Sequence, residues 1–85
     1  MSVLVKTIEN RSNLIVLGIE CINGPIEVGM SAGFDEENNN IGIITNIQVN
    51  ASYVNIINSG DKAVIKIDSN YELKKNNKYD IILCT

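Results

Sequence analysis

Few side chains in this 85-residue chain have the types and spacing that catalysis requires. The sequence contains no histidine, which removes the commonest general base and the commonest zinc ligand. No Gly-x-x-x-x-Gly-Lys-Ser/Thr run is present, so no phosphate-cradling nucleotide loop is predicted. Serine and threonine hydroxyls need an activating base, and none is evident beside them. We therefore expect a chain without catalytic residues, which is not itself an enzyme.

Two groups of residues could hold a metal ion or do redox chemistry. The run DEENNN at residues 35–40 is dense in oxygen ligands, but it lacks the spacing and the turn glycine of a calcium-binding loop. We interpret it as a solvated hairpin tip. Cys21 and Cys84 lie among apolar strand residues without metal-binding spacing, which indicates two reduced, buried thiols. No cofactor and no metal ion are predicted.

The remaining chemistry is binding. The formal net charge is -3, so the chain lacks the strongly basic surface that drives affinity for a phosphate backbone. Lys62 and Lys66 alternate outward on one predicted strand, and three more lysines crowd a later polar segment, at positions 74, 75 and 78. The residues alone indicate that these lysines are solvated strand faces and loop tips.

Short β-strands are the elements that would position these side chains. Between residues 41 and 68 apolar residues alternate, which buries one face of a strand and leaves the other in water. We expect strands near residues 2–8, 14–22, 26–28, 31–34, 41–49, 53–57, 62–68 and 79–84, separated by polar turns. Many short strands with frequent turns predict an all-β fold, a small closed antiparallel β-barrel that forms a single domain over residues 1–85.

The alternation also predicts which side chains fill the barrel. The expected inner set is Ile43, Ile47, Val54, Ile56, Ala63, Ile65 and Ile67. A second apolar set falls on the opposite strand faces and is expected to leave area exposed for protein contact: Leu14, Val16, Ile22, Ile57 and Val64.

Three segments together resemble a barrel of the translational GTPases. Residues 11–19, RSNLIVLGI, match a family strand of the form R-D-P-I-V-x-G-V, and residues 24–29, GPIEVG, fit the turn G-x-[IVL]-x-x-G-T. Residues 41–50, IGIITNIQVN, match I-G-x-V-T-S-I-E-[IV]-N-H. The resemblance is to the C-terminal barrel, the fourth domain, of the archaeal and eukaryotic translation initiation factor five-B, a relative of bacterial initiation factor two. It implies a barrel of the elongation factor Tu domain 2 type that is a fragment of a larger GTPase.

The resemblance implies a non-catalytic module that helps to position the acceptor end of initiator tRNA and a partner factor on the ribosome while the subunits join. Any GTPase activity would lie in a domain outside this chain. The residues that match the family's loops are the implied contacts: Asn50, Ala51, Ser52, Tyr53, Gly60, Asp61 and Lys62. The resemblance also implies that the lysines, with Tyr53 or Tyr71, form a small surface for the single-stranded end of a tRNA. A further implied partner is the acidic, hydrophobic C-terminal tail of initiation factor one-A.

Several departures from the family change these expectations. The family usually has a basic pair where this chain has Ala51 and Ser52, so we expect weaker RNA binding than in the basic relatives. Residues 62–64, KAV, replace the Glu-Cys-Gly run that helps bacterial relatives to hold formyl-methionine, so no such pocket is expected. The family's C-terminal helices are not expected in this chain. We expect charge reversal at Lys62 to weaken any RNA binding more than charge reversal at Lys6, which is distant in sequence and lies in another strand.

Two alternatives fit the same strands, the first from the same class of protein and the second from a different class. They are the barrel of an elongation-type or selenocysteine-type GTPase, and a free-standing protein-interaction barrel without an RNA role. A Walker-type loop upstream in the full coding sequence would favour a GTPase, and its absence would exclude one. The chain has no run of eighteen apolar residues and no basic-then-apolar signal pattern at its N-terminus. We therefore expect a cytoplasmic protein without membrane contact.

Overall fold

The structure, a computed structural model, describes residues 2–34, 40–69 and 80–84. Within those residues the chain forms strands only, close to the positions that the sequence predicts. The strands are β1 (Ser2–Arg11), β2 (Leu14–Asn23), β3 (Ile26–Glu27), β4 (Ser31–Phe34), β5 (Asn40–Val49), β6 (Ser52–Val54), β7 (Ile56–Ile57), β8 (Lys62–Asp68) and β9 (Asp80–Cys84). This part of the chain contains no helix that could span a membrane.

The hydrogen-bonded strand pairs form a closed ring. The order is β4-β9-β1-β2-β8-β5, and a further pairing of β5 with β4 closes the ring. β5 achieves this because it is long enough to pair with β4, β8 and β6 along different parts of its length. All these pairings are antiparallel, and β3 and β7 form a separate antiparallel ladder. The predicted all-β closed antiparallel barrel is confirmed, and its closure removes free edges from the ring strands.

Aliphatic side chains fill the barrel. Alternate residues of β2 and β8 are buried, namely Ile15, Leu17, Ile19, Cys21, Ala63, Ile65 and Ile67, and Ile47 of β5 joins them. The predicted inner positions of Ile47, Ala63, Ile65 and Ile67 are confirmed. Burial of each isoleucine contributes about 1.5–3 kcal/mol, so a few such residues account for much of the stability of a small domain.

A β-bulge in β5 reverses the inward face of the strand's first half. Asn46 pairs with Lys66, but the next residue of β8 pairs with Ile44, so Thr45 is an extra residue between the two pairs. The Thr45 hydroxyl donates a hydrogen bond to the Lys66 carbonyl oxygen at 3.3 Å. As a result Ile44 is fully buried and Ile43 is 50% exposed. The prediction that Ile43 lies inside is wrong.

The strand expected at residues 53–57 is interrupted, because the chain bends at Asn55. The carbonyl oxygen of Asn55 accepts a hydrogen bond from the Val28 N–H at 3.0 Å, and β7 then pairs with β3 instead of continuing β6. The bend exposes Ile56 (46%) and buries Ile57 (2%). The prediction that Ile56 lies inside and Ile57 outside is wrong for both residues.

The other predicted apolar positions have the expected or an intermediate exposure. Ile22 is 53% exposed and Val64 is 38% exposed, as expected for the outer face. Leu14 and Val16 are half-buried. Val54, expected inside, is half-buried and packs against the core.

Some sequence predictions lie outside the described residues. They concern the acidic run at residues 35–39, the polar segment at residues 70–79 with its lysines and Tyr71, and the side chains of Ile41 and Cys84.

Candidate functional site

The antiparallel pairing of β5 and β8 brings two turns to the same end of the barrel. Gln48 of β5 pairs with Val64 of β8. Asn50 lies two residues beyond Gln48, and Lys62 lies two residues before Val64, so both border the same part of the surface. The structure therefore brings together two of the contacts that the sequence predicted.

The turn between β5 and β6 is a two-residue hairpin loop. Val49 pairs with Ser52, and the two residues between them have positive φ values, 49° for Asn50 and 65° for Ala51. Two left-handed residues form a type I′ turn, whose twist matches that of a hairpin. Asparagine suits this conformation, whereas alanine adopts it at a cost. Tyr53 lies in β6, just beyond this exposed loop.

The turn before β8 is held by its own backbone and by β2. The Asn58 N–H donates to Asp61 Oδ2 at 2.8 Å, and the Asp61 N–H donates to the Asn58 carbonyl oxygen at 3.0 Å. Gly60, with φ 93°, donates its N–H to the Cys21 carbonyl oxygen at 2.8 Å. Gly60 and Asp61 thus shape the turn that precedes Lys62, and the Asp61 carboxylate is occupied in doing so.

A row of four outward positions crosses neighbouring strands beside these turns. Gly18 pairs with Val64, Val64 pairs with Gln48, and Gln48 pairs with Tyr53. Tyr53 is 64% exposed, and the Lys66 ammonium lies 5.8 Å from the centroid of its ring. A cation at this distance stabilises the ring's position and leaves an aromatic face in water.

A hollow of about 270 Å³ opens on the outer surface along this row. Its shape depends on Gly18, because a Cβ atom there would collide with the Thr7 hydroxyl. That hydroxyl accepts a hydrogen bond from the Gly18 N–H at 3.1 Å, which fixes Thr7 at the side of the hollow. Val64 contributes an apolar wall.

Polar and cationic side chains border the hollow. Lys6, Lys62, Gln48 and Asn50 are among the residues that line it. Lys6 is far from Lys62 in sequence but lines the same hollow, because β1, β2 and β8 are successive neighbours in the barrel. The Lys6 ammonium also lies 3.6 Å from a Glu20 carboxylate oxygen.

Among the described residues, positive charge is concentrated on this side of the barrel. The structure describes four basic side chains, and three of them, Lys6, Lys62 and Lys66, lie on or beside the row. The fourth, Arg11, is at the far end of β1 and pairs with Glu9 at 3.1 Å. In a chain of formal charge -3, this distribution gives one local surface suited to a small anionic ligand.

The described residues contain no group of His, Cys, Asp and Glu side chains that could hold a metal ion. Cys21 is buried and has a free thiol. Burial raises the pKa of this thiol, and the nearby Asp61 carboxylate raises it further. A thiol with a raised pKa is a weak nucleophile at neutral pH, which fits a packing role.

Comparison with known protein families shows to which family the chain belongs. The profile of the family described as elongation factor Tu domain 4 matches residues 1–83. The chain belongs to this family. It is a β-barrel module associated with translational GTPases, and its closed antiparallel sheet agrees with that assignment. No curated protein matches the chain significantly.

In this elongation factor Tu domain 4 barrel, Asn50, Tyr53 and Lys62 lie on the described surface row or at its hollow. Ala51 and Ser52 lie in the exposed hairpin loop, and Gly60 and Asp61 shape the second turn.

Sequence reasoning did not assign seven of the residues that line the hollow to the site: Lys6, Thr7, Gly18, Ile19, Gln48, Ala63 and Val64. A glycine within the apolar run of β2 was the one available signal for close approach. The place of Lys6 and Thr7 depends on strand order, which periodicity does not reveal.

Proposed function

We propose that this domain is a non-catalytic binding module of a translation initiation GTPase of the archaeal and eukaryotic five-B type. Its role is to contact the acceptor end of initiator tRNA, and to help position it on the ribosome during subunit joining, in the cytoplasm. GTP binding and hydrolysis belong to another domain of the parent protein. The observation that carries the proposal is the position of Lys62 at the hollow and of the exposed Tyr53, with Lys66 beside its ring, at the end of the same surface row, in a chain of formal charge -3.

The chemistry of a single-stranded RNA end supports this choice. Unpaired bases stack on aromatic side chains, and each stacked base contributes about 1–3 kcal/mol without a need for many charges. Tyr53 presents an exposed ring with a lysine beside it. A duplex, by contrast, requires a broad basic surface that a chain of charge -3 does not have.

The acidic, hydrophobic tail of initiation factor one-A is the second partner that we propose. Leu4 and Ile22 are both more than half exposed on neighbouring strands, at 51% and 53%. Lys6 lies two residues from Leu4 along β1. Apolar area beside a cation is the surface that such a tail requires.

A chemical-shift titration of the labelled chain tests both partners. An aminoacylated acceptor-stem minihelix should shift the amide signals of Asn50, Tyr53 and Lys62, and an acidic tail peptide should shift those of Leu4 and Ile22. The RNA affinity should fall with salt with a shallow slope of about one or two charges. Absence of any shift with the minihelix would refute the tRNA role.

A charge-reversal pair gives the matched control. Lys62→Glu should weaken binding of the minihelix and lower the salt slope by about one. Arg11→Glu changes the net charge equally, but Arg11 lies at the far end of β1 and should have little effect. Equal losses in the two variants would mean diffuse electrostatics and would contradict a local site.

A further inference from the structure

We propose that the hollow over Gly18 is a subsite for one unpaired nucleobase of a single-stranded RNA, with the Gln48 and Asn50 carboxamides at the edge of the base. The inference rests on the proposed function and makes it specific. It assigns an RNA contact to Gln48, Thr7 and Gly18, and it predicts that Tyr53 stacks on the base next to the one in the hollow.

The size of the hollow limits what it can take. Sites for drug-sized ligands have volumes of about 300–1,000 Å³. The hollow, at about 270 Å³, lies below that range and is open to solvent on its outer side. It therefore suits one planar ring system that enters from the surface. Residue 18 has no side chain, and a Cβ atom there would collide with the Thr7 hydroxyl.

The polar groups match a base and a single phosphate. A carboxamide has two donor hydrogens and an acceptor oxygen, which is the pattern that pairs with the edge of a base. No hydrogen bond to another described residue occupies the side chain of Gln48 or Asn50. Lys62, likewise without an ion-pair partner among the described residues, is placed at the rim where a phosphate would lie.

Glu20 disfavours a longer run of phosphates along the same face. It pairs in register with Lys62 across β2 and β8, and its carboxylate lies 3.6 Å from the Lys6 ammonium. A carboxylate between two lysines reduces the local positive potential, so the backbone of a duplex gains little here. Binding must then depend on the base itself.

Tyr53 extends the site by one base. It is the cross-strand partner of Gln48, and such partners have Cβ atoms about 4.5–5.5 Å apart. When one base of the RNA occupies the hollow, the adjacent base of the same RNA is therefore within reach of the exposed Tyr53 ring. The Lys66 ammonium beside that ring is available to the intervening phosphate.

The test measures binding of short fluorescent single-stranded RNAs to the 85-residue chain by anisotropy. One RNA carries a single abasic nucleotide, moved through each position in turn. For the unsubstituted chain, one abasic position should reduce affinity about tenfold. Gln48→Ala should cause a similar loss with intact RNA and should abolish the added effect of the abasic nucleotide, because both changes remove the same contact.

Two further variants separate the possible explanations. Gly18→Ala adds a methyl group that collides with the Thr7 hydroxyl and so changes the shape of the hollow, and its folding is checked by its unfolding midpoint. Tyr53→Ala should weaken binding while the abasic effect persists. Full affinity in Gln48→Ala and in folded Gly18→Ala, with losses in Lys62→Glu and Tyr53→Ala, would overturn the nucleobase subsite and leave the proposed function intact. Failure of every RNA to bind would overturn both, and so would capture of an acidic peptide at Gln48 and Val64 in place of RNA.

Discussion

The bulge at Thr45 makes a quantitative prediction, because it exchanges the environments of two adjacent isoleucines. Ile44 is fully buried and Ile43 is half exposed. Truncation of Ile44 to alanine removes three carbons, worth about 0.8 kcal/mol each in transfer free energy, and leaves a cavity. We therefore expect Ile44→Ala to lower the free energy of unfolding by about 3–4 kcal/mol. Ile43 is already half exposed, so Ile43→Ala loses only about half of that transfer free energy and leaves no cavity. We therefore expect it to lower the free energy of unfolding by about 1 kcal/mol.

Equilibrium urea unfolding followed by circular dichroism measures both variants. A domain of this size has a total stability of about 4–13 kcal/mol, so Ile44→Ala can leave little folded protein. Ile44→Val, expected to cost about 0.5–1.5 kcal/mol, is then compared with Ile43→Val, expected to cost less. A loss at Ile43 equal to or greater than that at Ile44 would refute the bulge and restore the unbroken alternation that the sequence predicts.

Three further predictions concern the core, the hairpin loop and the buried thiol. Ile65→Ala should cost about 2–5 kcal/mol in urea unfolding, and a cost below about 0.5 kcal/mol would contradict its inner position. Ala51→Gly should stabilise the domain by about 0.5–1 kcal/mol, because glycine adopts φ 65° without a Cβ penalty; Ala63→Gly, within β8, should destabilise it instead. The raised pKa of Cys21 means that the folded state favours the neutral thiol. This stabilisation is present below the unfolded thiol pKa of about 8.5 and is lost as pH rises through the folded pKa. The urea midpoint should therefore fall between pH 8 and pH 10, within the range where thiols titrate, and less steeply in Cys21→Ala.

Much of the fold was predictable from local patterns. The alternation in residues 62–68 indicates which face of β8 is buried, because a strand turns successive side chains to opposite sides. The polar residues of the turn at residues 58–61 mark a tight turn, and the strand positions follow from such turns. Strand alternation and tight turns depend only on residues that are close together in the sequence.

Pairing between strands decided the rest. The bulge that buries Ile44, and the bend that buries Ile57, arise where one strand must fit the register of a distant partner. The hollow likewise combines Lys6 and Lys62, residues far apart in sequence, because β1, β2 and β8 are neighbours in the barrel. The sequence by itself determined that the chain forms a small barrel whose strands are rich in β-branched residues. It also determined the types of side chain on the surface of the barrel. The tertiary structure alone determined which of these side chains meet, because strand order and register depend on contacts across the whole chain.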